Sequence, residues 1–73
     1  MNFSELKEKW PSSIVSRTEI PKFTGGAVAV GTIANADSQG TGPANRFKIG
    51  AKTVYTVDAV IAWLESKSQK NRG

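Results

Sequence analysis

The chain has 73 residues, ten of them Lys or Arg against six Asp or Glu, a net charge of +4, and neither cysteine nor histidine. That length makes one domain with a small core, near the lower limit at which apolar burial alone holds a fold. Without Cys or His there is no disulfide framework, no thiolate or imidazole metal site and no imidazole base, so no cofactor and no catalysis are expected, and the excess of cations favours a polyanionic partner.

In chain order, Phe3, Leu6 and Trp10 recur at i, i+3 and i+7, with Asn2 and Glu5 spaced as a capping box, which predicts a short amphipathic helix ended by Pro11. Pro11-Ser12-Ser13 reads as a connector. A second capping signature, Ser16-Arg17-Thr18-Glu19, opens a short helix over about 17–24 with Ile20 and Phe23 on one face. Pro21 is comfortable only in its first turn, and Thr24-Gly25-Gly26 stops it. Ala27–Val30 is an apolar stretch that also fits a strand, whereas Thr32–Gln39 reads as a helix closed by Gly40 in the left-handed cap position. Ile33 and Ala36 then point inward, and Thr32, Asn35, Ser38 and Gln39 form an exposed row of small hydrogen-bonding side chains.

Gly40-Thr41-Gly42-Pro43 makes a turn. Beyond it, Phe47-Lys48-Ile49 and Val54-Tyr55 flank Gly50-Ala51-Lys52 as a β-hairpin, with Phe47 and Ile49 on one face and Arg46 and Lys48 on a basic outer one. Thr56 caps the strongest predicted helix, in which Val57, Val60, Ile61 and Leu64 recur at i, i+3, i+4 and i+7. From Ser66 the chain is polar and basic and reads as a frayed tail, which bounds the domain at 1–66 with 67–73 as a flexible tail. The predicted core is Ile20, Phe23, Ile33, Phe47, Ile49, Tyr55, Val57, Val60, Ile61, Trp63 and Leu64, and Trp10 also reads as core rather than as a base-stacking platform. No apolar run approaches the roughly 18–20 residues of a membrane span, and MNFSELKEKW lacks the apolar stretch of a signal peptide, so a soluble cytoplasmic protein with no membrane partner is expected.

The element order of short helix, Gly-containing turn, second helix, hairpin and packing helix is what a winged helix-turn-helix requires, although a small α+β domain with no nucleic-acid role has the same order. The residues add a resemblance. Trp10-Pro11, SRTEIPKFTGG (16–26), TIANADSQGTGP (32–43), RFKIGAKTVY (46–55) and AWLES (62–66) together resemble the excisionase-like helix-turn-helix domains of the MerR superfamily. The helix end running into Gly-x-Gly-Pro, then Ile-Gly-x-Lys-x-x-Tyr and a Trp-Leu helix, is its most specific part. The resemblance implies an α+β winged helix-turn-helix that binds double-stranded DNA, in the setting of phages, prophages or integrative elements. Within it the helix over 31–39 would enter the major groove and the hairpin 46–55 would act as a wing.

Asn35 and Gln39 carry carboxamides that suit the N6 and N7 edge of adenine, with Thr32 and Ser38 beside them. On the wing, Arg46, Lys48 and Lys52 would contact phosphates, while Arg17 and Lys22 on the supporting helix would touch the backbone or stand in solvent. The start of the second helix, Ala29-Val30-Gly31, carries no cation where relatives often have one, so modest, salt-dependent affinity is expected, with tight binding only for several copies on adjacent sites. Two roles fit: a recombination directionality factor that assists an integrase, and a transcriptional regulator. An interaction module of the same fold, binding an integrase or a regulator, is the rival from another class. An enzyme ranks last, because Glu5, Glu8, Glu19, Asp37, Asp58 and Glu65 show no paired acid/base spacing.

Overall fold

The computed structural model describes residues 3–67. It is a small α+β fold: α1 Ser4–Lys9, β1 Ile14–Ser16, a single 3₁₀ turn Arg17–Glu19 running into α2 Ile20–Phe23, α3 Val30–Gln39, β2 Phe47–Ile49, β3 Lys52–Thr56 and α4 Val57–Lys67. This arrangement is compatible with a small winged helix, and no helix among the described residues is long and apolar enough to cross a membrane.

Local chemistry explains most of the boundaries. Ser16 and Glu19 form the expected reciprocal capping box, and Pro21 sits in the first turn of α2. Gly40 closes α3 at φ 79°, where its amide hydrogen-bonds the Ala36 and Asp37 carbonyls, a conformation that a Cβ would penalise. Thr56 caps α4 by accepting from the Ala59 amide at 3.1 Å. At α1 the expected box does not appear: the helix begins at Ser4 with Phe3 at its boundary and no capping side chain, and Asn2 lies outside the described residues. Ala27–Val30 is no strand, because Val30 already belongs to α3. At the C-terminus α4 runs to Lys67, one residue into the predicted tail, the rest of which is outside the described residues.

The sheet has three antiparallel strands in the order β1-β3-β2, so a strand that the sequence pattern does not predict, Ile14–Ser16, joins the hairpin. In the hairpin Phe47 pairs with Val54, Lys48 with Thr53 and Ile49 with Lys52, leaving Gly50-Ala51 as the loop. Across the other seam Ile14 pairs with Thr56, Val15 with Tyr55 and Ser16 with Val54. Successive side chains alternate across the sheet. Val15 and Tyr55 therefore point into the core, where they join Ile20, Phe23, Val28, Ile33, Val57, Val60, Trp63 and Leu64, with Trp10 and Ile61 packed at its margin.

Two predicted core residues are not in it. Phe47 is 39% exposed and Ile49 53% exposed. Their faces follow the predicted alternation, but that side of the sheet is uncovered near the hairpin tip.

Candidate nucleic-acid interface

α3 is the centre of the expected site. Its inner side presents Ile33 and Ala36 to the core, and its outer side exposes Thr32, Asn35, Ser38 and Gln39 together with Gly31. The helix begins at Ala29 without a capping side chain and without an acidic residue in its first turn. The positive end of its dipole is thus uncompensated, which favours a nearby anion.

One α3 residue does something the sequence did not suggest. Asp37 is buried, its side chain only 3% exposed. Its Oδ2 accepts from Arg17 Nη2 at 2.7 Å and from the Tyr55 hydroxyl at 2.5 Å, and Arg17 Nε donates to the same Tyr55 oxygen at 3.1 Å. This closed triangle ties the turn after β1, the last turn of α3 and the end of β3. The hydrogen bond to Tyr55, then the one to Asp37, raises the Arg17 pKa above its ordinary value, and burial opposes them. Burial first and the bond to Asp37 second push the Tyr55 hydroxyl up, partly offset by Arg17. Arg17, expected as a backbone contact or as a solvated cation, therefore has its guanidinium engaged inside the fold.

The other Asp37 oxygen, Oδ1, is buried without a hydrogen bond among the described residues, and Arg46 Nη1 stands 3.8 Å from it. Gly42 lies against it so closely that a Cβ there would collide with the carboxylate. The turn after α3 is fixed further by Trp63, whose indole N–H donates to the Thr41 carbonyl at 2.8 Å, and by burial of Pro43. So the Gly-x-Gly-Pro segment folds over Asp37 and is clamped from α4, and this sets where the hairpin leaves the helix.

The hairpin cations fall on two sides. Lys48 shares a face with Thr53 and Tyr55, the face turned to α3, and Arg46 reaches Asp37 of α3 from the same side. Lys52 pairs with Ile49 on the opposite face, where it lines a cleft together with Lys22 of α2. The structure thus brings Thr32, Asn35, Ser38 and Gln39 together on one helix face with Arg46 and Lys48 on the neighbouring wing, and sets Lys22 and Lys52 apart from them. Asp37 and Gly42 are the residues that sequence reasoning missed; the only hint was the unusual density of turn residues after Gln39.

Among the described residues no three His, Cys, Asp or Glu side chains gather as a metal site. Compared with known proteins, the chain matches no family model, no curated protein and no solved structure.

Proposed function

We propose that this protein binds double-stranded DNA in a sequence-dependent manner, as an excisionase-type directionality factor or a phage-type transcriptional regulator. The outer face of α3 would lie in the major groove, with Arg46 and Lys48 of the wing on the phosphates. The observation that carries the reading is the outer arc of α3 itself: four exposed hydrogen-bonding side chains, none charged, on a helix whose inner face is locked to the fold through Ile33, Ala36 and Asp37. A helix anchored on its inner face with carboxamides facing outward is suited to base edges. The uncapped start of α3 adds a place for a phosphate, and the cations of the wing supply the salt-dependent part of the affinity.

The direct test begins with selection of bound fragments from the source genome, which yields a preferred duplex. Asn35→Ala should then lower affinity for that duplex by about 1–3 kcal/mol and leave binding to a scrambled duplex nearly unchanged at one fixed salt concentration. Gln39→Ala should behave likewise. Thermal stability should hold, since Ala is the better helix former. Equal losses on both duplexes would reassign these residues to the backbone, and no loss on either would remove the DNA reading.

A further inference from the structure

The sheet separates two surfaces, and only one of them is taken up by the DNA reading. On the side away from α3, a cleft of about 950 Å³ runs between α1, β1, α2 and the hairpin. Its apolar surface comes from Leu6, Trp10, Ile14 and Ile49, over the buried Phe23 and Val54. Trp10 stands edge-on to Phe23 at 5.2 Å between ring centroids, and its indole N–H is already given to the Ile14 carbonyl at 2.9 Å, so these rings form a fixed wall. Ile49, more than half exposed, hangs at the open end.

Around this apolar floor stand three lysines from three different elements, Lys9 of α1, Lys22 of α2 and Lys52 of β3. The one carboxylate in the lining, Glu19, is held by the Ser16 amide at 3.3 Å and the Ser16 hydroxyl at 3.1 Å. An occupant therefore meets apolar surface beneath and positive charge on three sides. A second copy would bring a net charge of +4 to a positive rim, and residues 68–73, with Lys70 and Arg72 and no acid, are basic as well. Strand addition to β1 is closed as well: the Ile14 amide is bound by the Ser12 hydroxyl and the Ser16 amide by Glu19.

We propose that this cleft is a docking site for an acidic segment of another protein, seated by apolar side chains between Leu6, Trp10 and Ile49 and held by carboxylates against Lys9, Lys22 and Lys52. The site lies across the sheet from α3, so occupancy is compatible with α3 engaged elsewhere.

Panning a random peptide library against the full chain tests this. The expected enrichment is for peptides that combine Asp or Glu with Leu, Phe or Trp. The most enriched peptide, labelled and titrated without DNA, should bind Ile49→Ser and Lys9→Gln each about fivefold or more weakly than the parent, since an apolar anchor and a rim charge are removed in turn. Both positions are exposed and outside the α3 face, so both variants should keep the parent's thermal midpoint and its DNA affinity within about twofold. No enrichment, a basic consensus, or an enriched peptide indifferent to both substitutions would overturn the proposal. So would a duplex that displaces the peptide while Lys9→Gln weakens DNA and peptide alike, which would give the cleft to DNA. Failure of Asn35→Ala to discriminate duplexes would remove the DNA reading and leave the peptide titration standing.

Discussion

Arg17 and Arg46 both reach Asp37, on very unequal terms. The Arg17 side chain is 28% exposed, makes a 2.7 Å contact with Oδ2 and a second bond to Tyr55, whereas Arg46 is 51% exposed and approaches Oδ1 only to 3.8 Å. The first arginine is part of how the chain folds and the second is a tethered surface charge. In an inventory of cations the two are identical, and geometry around one buried carboxylate separates them. Removing the cation that is hydrogen-bonded to a buried carboxylate costs much, while an exposed pair at long range contributes little and leaves its donors available to another anion.

The harshest way to break this contrast is to remove the shared carboxylate. Asp37→Ala should destabilise the fold by about 3–5 kcal/mol, because Arg17 and the buried Tyr55 hydroxyl lose their common acceptor, and so small a domain should then be largely unfolded in a denaturant titration. Gly42→Ala should cost about 1–3 kcal/mol by forcing a methyl group against that carboxylate, seen as a lower thermal midpoint. Arg17→Gln should cost about 1.5–3 kcal/mol, in line with loss of charge-assisted hydrogen bonds. The companion Arg46→Gln should shift stability by less than about 0.5 kcal/mol and instead reduce the salt slope of DNA binding by about 1. Equal stability losses for the two arginine variants would erase the distinction. The smallest effect is alkaline. Tyr55 has a folded-state pKa raised above its ordinary 10.0, so its stabilising effect is complete below that value and lost as pH climbs through the folded one. Relative to Tyr55→Phe, the parent should lose stability more steeply in strong alkali, with the two converging in slope at neutral pH.

Much of this architecture is legible in local pattern, because local pattern is what made it. The Ser16/Glu19 box, the Gly40 cap, the Thr56 cap and the i, i+3, i+4, i+7 stripe of α4 each involve residues within one or two turns of each other. The exposed arc of α3 follows from the same periodicity. What stayed hidden was non-local. Nothing in the local pattern around Asp37 points to its partners, which stand 20 residues before it and 18 after it. β1 is three residues long, too short to show alternation. Alternation correctly put Phe47 and Ile49 on one face, but it carries no information on which face is covered, and here the cleft leaves that face open. Proximity in sequence groups Lys52 with Arg46 and Lys48, and the register Ile49–Lys52 sends it to the other side.

The two seams of the sheet differ in how far apart in the chain their strands lie. β2 and β3 are joined by Gly50-Ala51 alone, whereas Arg17, just after β1, and Tyr55, in β3, are 38 residues apart. Closing a short turn costs little chain entropy and takes microseconds, and bringing distant segments together is the slower event. The hairpin with α4 is therefore expected to form early and the β1 seam late. Arg17 arrives with that late seam. If the seams form in that order, closing the second one is also what brings the cation to Asp37 and Tyr55 and neutralises the carboxylate beneath the turn.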